Sequence, residues 1–227
     1  SLSSPEQSEA TVPPDHHFRP EWEVDSFGTV ETSGQLMANP DDLFLDAAQQ
    51  ILNAASSGVK VIGITSCDRG EGRTTLTRGL AQRLACDDVS VAVVDADFER
   101  PHLAAHFDVN PAAGWTDNLP QTTEPSEVAI VSLKDRLTLI PSRSPVSQND
   151  IPAAQIVLQE VLNTLADRFD VVLVDLGPAP SGTVGFISGR DGNRTRAMVI
   201  VQHLKNTSEH RLGELLHTVS SSGITVL

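Results

Sequence analysis

Residues Ser66 to Thr75 read Ser-Cys-Asp-Arg-Gly-Glu-Gly-Arg-Thr-Thr and lie between an apolar run, Val59–Thr65, and a helical pattern. Strand, glycine loop and helix in that order form the context a phosphate cradle requires. Gly70 and Gly72 let backbone amides turn inward, and the helix N-terminus adds partial positive charge. Gly70, Glu71, Gly72, Arg73, Thr74 and Thr75 are therefore the candidate phosphate-binding residues. The Thr74 hydroxyl sits where such a loop ligates Mg2+. The strict pattern is broken twice, with Cys67 in place of its first glycine and Arg73 in place of its lysine. A tight strand-to-helix turn without a ligand is the competing reading. Arginine is planar and bulkier than lysine and prefers a bidentate approach to oxygen pairs. Arg73 thus predicts weak nucleotide binding and poor alignment for transfer.

Two further runs carry carboxylates. The first, Val91–Val94, continues Asp95-Ala96-Asp97-Phe98-Glu99-Arg100-Pro101, and the second, Val171–Val174, continues Asp175-Leu176-Gly177-Pro178. Both place aspartates at the carboxyl ends of buried strands, the edge at which ligands sit in open α/β sheets. One aspartate there can hold Mg2+ and another can position an attacking hydroxyl. Asp95 and Asp97 are the candidate catalytic carboxylates, with Arg73. Thr74, Asp95 and Asp175 are the candidate metal ligands. For any single run, an aspartate capping a turn explains the residue equally well. Three runs in this order favour one site.

These motifs need a frame. Strands are predicted at Val59–Thr65, Val89–Asp95, Val128–Val131, Leu137–Ile140, Val171–Asp175, Met198–Gln202 and from Ile224. Helices are predicted after Asn39-Pro40-Asp41-Asp42, over Thr74–Ala85, over Ala153–Phe169 with Ile156 and Val157 inward, and over Ser208–Ser220. Strand–helix alternation gives an α/β fold, a doubly wound and mostly parallel sheet with helices on both faces. Residues 1–35 are proline-rich and acidic and read as a flexible arm, whose Trp22, Val24 and Phe27 can dock locally on the body. Residues 36–227 form the α/β domain. The apolar ending at Leu227 reads as a truncated strand.

At these motifs the chain resembles the bacterial tyrosine-kinase family of P-loop proteins, regulators of capsular and extracellular polysaccharide synthesis. Ile64 to Thr75 resembles that family's first ATP motif, Asp95 to Pro101 its distinctive aspartate motif, and Asp175 to Pro178 its third. Gly114–Leu119 and Leu139–Ser142 add to the likeness. The resemblance implies a P-loop NTPase fold and ATP held by Gly70 to Thr75. It implies Mg2+ on Thr74 and Asp95 with Asp175 near, and activation of an acceptor hydroxyl by Asp95 or Asp97. Arg100 falls in the family's basic segment. The implied partner is a membrane-embedded polysaccharide chain-length regulator, placing the protein in the cytoplasm at the inner face of the membrane.

The departures define two alternatives, a non-catalytic interaction module and a partitioning or division-site type ATPase. Arg73 replaces lysine and Glu99 replaces a common arginine. Asp46 to Leu52 lacks the glutamate-and-arginine pattern of ring assembly. Asp68 stands where the partitioning ATPases carry an additional lysine. Tyrosine is absent from all 227 residues, so none of them is a site of tyrosine autophosphorylation.

Composition narrows the rest. Sixteen Lys plus Arg against 30 Asp plus Glu give a net charge of −14, which excludes a surface that coats nucleic acid. No apolar run approaches the roughly 20 residues of a membrane span. Cys67 and Cys86 are too few for a disulfide framework, and Cys67 reads as a small residue that the loop tolerates. His16 and His17 make a poor metal site, and Arg190, Arg194 and Arg196 read as flanking a solvated loop.

Overall fold

The computed structural model describes residues 18–28, 44–179, 196–203 and 207–227. In chain order its elements are β1 (Trp22–Val24), α1 (Leu45–Ser56), β2 (Val61–Ser66), α2 (Arg73–Ala85), β3 (Val91–Ala96), α3 (Leu103–His106) and α4 (Pro125–Val128). There follow β4 (Ile130–Ser132), β5 (Leu137–Ile140), α5 (Ile151–Arg168), β6 (Val171–Leu176), β7 (Arg196–Val201), α6 (Glu209–Ser221) and β8 (Thr225–Val226). The described strands form one sheet in the order β1-β4-β5-β3-β6-β2-β7-β8. Every neighbouring pair is parallel except β4 with β5.

The three central strands β3, β6 and β2 are buried at all six positions each, which is why they read as apolar runs without alternation. Their side chains alternate between two cores. Val172, Val174 and Val94 face α5, where Val157, Val161, Leu162 and Leu165 are buried. Val171, Leu173 and Val93 face α1 and α2, against Ile51, Leu80 and Leu84. Fully burying one such side chain contributes about 1.5–3 kcal/mol, so packing rather than helix propensity sets these elements. α1 sits close on α2 because Gly79 has no side chain: a Cβ there would lie 2.5 Å from the Phe44 ring.

Three expectations are corrected. Within the supposed arm, residues 18–28 add β1 as a parallel edge strand beside β4 and bury Phe27 against Phe107. Gly28 N–H donates to the Phe107 carbonyl at 3.0 Å and Phe27 N–H to Asp135 at 2.6 Å. The remaining residues of the arm, the Asn39–Asp42 cap and the loop carrying Arg190 and Arg194 lie outside the described residues. Val128 closes the short helix α4 rather than opening a strand. Ile156 is 65% exposed; the stripe that faces the sheet runs through Ala154, Val157, Leu158 and Val161.

Candidate functional site: a phosphate loop facing two carboxylate strands

The loop between β2 and α2 turns through Gly70 at φ +80° and Gly72 at φ +91°. That left-handed backbone costs a residue with a Cβ about 1–2 kcal/mol, although nothing lies near either position to obstruct one. Ser66 Oγ donates to the Asp68 carbonyl at 2.6 Å and stiffens the turn from within. Glu71 fastens it from outside. Its carboxylate accepts from Asp68 N–H at 2.8 Å, from His203 N–H at 3.3 Å and from the Thr207 hydroxyl. Burial pushes the Glu71 carboxyl upward, but these donors outweigh burial and hold it below its ordinary range. Its side chain therefore binds the loop to the segment before α6 and does not line the cavity.

On the facing strands, Asp95 of β3 and Asp175 of β6 are register partners. Asp95 accepts from Leu103 N–H at 2.8 Å and Asp97 N–H at 3.3 Å, which shapes the turn into α3. The indole of fully buried Trp115 donates to the Asp95 carbonyl at 2.9 Å, which gives the Gly114–Leu119 segment a physical role. Burial and then the Asp175 charge push the Asp95 carboxyl well above its ordinary range. Burial also raises Asp175, to about 6, against the opposing Thr74 hydrogen bond and Arg73 charge. Asp175 Oδ1 is buried with no hydrogen-bond partner.

Arg73 opens α2 and is 7% exposed. Its guanidinium donates to the Leu176 carbonyl and reaches Asp97 at 3.5 Å. Asp97 is the hub of the edge. It also accepts from Arg69 at 3.0 Å and from the Glu99 and Arg100 N–H groups, each at 3.1 Å. Arg69 extends to Glu99 at 2.5 Å. Between these groups lies a cavity of about 370 Å3.

The cavity brings together six of the candidate catalytic and binding residues: Gly70, Gly72, Arg73, Thr74, Thr75 and Asp97. Arg100 joins them, while Asp95 and Asp175 lie behind the lining, on the strands beneath. Arg69, His102 and His106 also line the cavity and were missed. Arg69 was legible as a cation within the glycine loop. The two histidines carried no pattern, because α3 is only four residues long.

The donor set fits Mg2+. Thr74 and the orphaned Asp175 oxygen offer hard oxygen ligands beside the phosphate loop. Among the described residues no group of three His, Cys, Asp or Glu forms a ready-made cage. That suits an ion that takes one or two carboxylates and fills its shell with phosphate oxygens and water. Cys67 is buried, and burial, then the Glu71 and Asp68 charges, raise its thiol, so it is inert packing. No helix among the described residues is long and apolar enough to cross a membrane.

Residues 59–214 match the family described as cellulose biosynthesis protein BcsQ. The tyrosine-protein kinase ptk of Acinetobacter johnsonii is 24% identical over 199 residues, 83% of this chain, and the chain spans 26% of that relative's length. The VpsO kinase domain superposes with a TM-score of 0.73 at 17% identity, covering 87% of this chain and 96% of that one. The septum site-determining protein MinD of Pyrococcus horikoshii, complexed with Mg-ADP, superposes with a TM-score of 0.58 at 20% identity. There the cover is 74% of this chain and 68% of that one. The P-loop NTPase fold and the kinship with bacterial tyrosine kinases expected from the motifs both hold.

Proposed function

The chain belongs to the family described as cellulose biosynthesis protein BcsQ, and from that premise we propose that it is an ATP-binding regulator of extracellular polysaccharide synthesis in which tyrosine phosphotransfer is lost or weak. One observation carries this reading. The cation at the loop's lysine position is tied to the Leu176 carbonyl and Asp97 rather than left free to reach a terminal phosphate.

In this reading the α2 N-terminus and the amides of Gly70 to Thr75 hold the phosphates of ATP. Thr74 and Asp175 would hold Mg2+, with Asp95 behind them, and such an ion would supply charge neutralisation at the phosphates. Asp95 or Asp97 would accept an acceptor's proton, but Asp97 is engaged by Arg69 and Arg73. Phosphoryl transfer rests on positioning and charge neutralisation, so a site with these groups mutually engaged binds better than it transfers. A polysaccharide chain-length regulator in the membrane is the partner proposed, with the protein peripheral at the inner face through it. The competing partitioning-type reading calls for a cation at position 68. Asp68 there pairs with Arg211 of its own chain at 2.5 and 2.7 Å, which favours the regulator.

Turnover of ATP, and transfer to an added tyrosine peptide, test the point. Arg73→Lys is expected to raise both by roughly a hundred- to a thousandfold, the worth of one positioned charge. Asp95→Ala in that background is expected to remove the gain. Equal rates for the unaltered protein and Arg73→Lys refute the claim that Arg73 is the defect.

A further inference from the structure

The cavity carries a third guanidinium besides the two that the loop supplies. On the loop side, Arg69 and Arg73 are matched by Asp97 and Glu99. From the turn after β3, which also carries Asp97 and Glu99, and from α3, Arg100, His102 and His106 complete the lining. Among the described residues the Arg100 guanidinium has no hydrogen-bond or ion-pair partner; only its backbone N–H is engaged, by Asp97. His102 Nδ1 lies 2.7 Å from the Pro101 carbonyl, which leaves its other ring nitrogen for a ligand. His106 Nδ1 is buried without a partner, while the His106 carbonyl is fixed by Arg78 at 2.7 Å. The lining contains no aliphatic side chain and no phenyl or indole ring. Such a lining offers an oxyanion one free guanidinium and two imidazoles.

We infer that Arg100, His102 and His106 form a second anion subsite facing the phosphate loop, and that the group seated opposite a bound nucleotide's terminal phosphate is itself a phosphate rather than a tyrosine side chain. The inference rests on the nucleotide reading above and names the chemistry of that site's second ligand. Two phosphate-bearing ligands meeting across one cavity need cations on both walls, because oxyanions so close repel strongly in a partly dry site. Arg69 and Arg73 come from the phosphate loop and Arg100 from the turn after β3.

Imidazole and amide NMR of the full chain separates the two claims. A non-hydrolysable ATP analogue with Mg2+ is titrated first and read on the amides of Gly70, Gly72 and Thr74, which reports nucleotide binding alone. Inorganic phosphate is then added. Saturable movement of the His102 and His106 ring signals is expected, with His203, His210 and His217 unmoved. Arg100→Gln, at an exposed position, is expected to weaken that phosphate affinity at least tenfold while thermal melting stays unchanged. If the analogue does not bind, the nucleotide reading fails, and phosphate added to the free protein must still move both imidazoles for the subsite to stand. The inference is overturned if phosphate moves only the loop amides, if chloride reproduces the shifts, or if N-acetyl-tyrosinamide moves the imidazoles and phosphate does not.

Discussion

Two buried aspartates side by side on β3 and β6 are a poor way to stabilise a sheet. Asp175 has a carboxyl raised to about 6 and its Oδ1 has no partner. A group whose folded pKa lies above its unfolded value near 3.8 binds more protons when folded, so it favours folding at low pH and opposes it as pH rises through about 6. Asp175→Asn is therefore expected to be more stable than the unaltered protein at pH 7–8, by on the order of 2–3 kcal/mol. The advantage should vanish below about pH 4, which thermal melting across pH will read. Retention of such a carboxylate fits a cation-binding role, and Mg2+ with nucleotide should narrow the difference at pH 7. Residue types at this edge were readable from spacing because strand ends and a glycine loop fix them locally. The direction of the Glu71 side chain was not, since His203 and Thr207, more than 130 residues away, decide it.

At the scale of elements, the loop and its helix are held in place by packing far from the cavity. Gly79 lets Phe44 lie flat on α2, and fully buried Arg78 ties α2 to the carbonyls of Gly28 and His106 at 2.9 and 2.7 Å. Gly79→Val drives a side chain into the Phe44 ring and is expected to cost about 1–3 kcal/mol by denaturant unfolding. Phe44→Ala should cost about 3–5 kcal/mol if the site cannot collapse. Helices and central strands were legible because both faces of the sheet demand long apolar runs. The face of α5 was legible except at its margin: Val157, Val161, Leu162 and Leu165 pack inward as the stripe predicts, whereas Ile156 turns out to solvent. Arg78 is a buried strut, which no local pattern distinguishes from a solvated helix cation.

Across the whole molecule, the largest departure is the segment 18–28. Its three-residue strand is too short to show alternation, and its partner β4 is equally short, so neither predicts the other. Once paired, it closes one edge of the sheet and covers Phe107 at the base of α3, whose last residue, His106, lines the cavity. Phe27→Ala is expected to destabilise the protein by about 3 kcal/mol. The amides of Phe27 and Gly28 should show slow hydrogen exchange, whereas a freely mobile arm would exchange at the unfolded rate.

The proposed function makes this edge a nucleotide site whose loop cation is turned onto its own carboxylates. Calorimetric titration of the protein with ATP and Mg2+ tests it most directly. One saturable site per chain is expected, with a Kd between about 1 μM and 1 mM. It should tighten several-fold in Arg73→Lys, where an ammonium replaces the tethered guanidinium, and be lost when Mg2+ is chelated. Absence of binding heat for both proteins, or equal affinity with and without Mg2+, contradicts it.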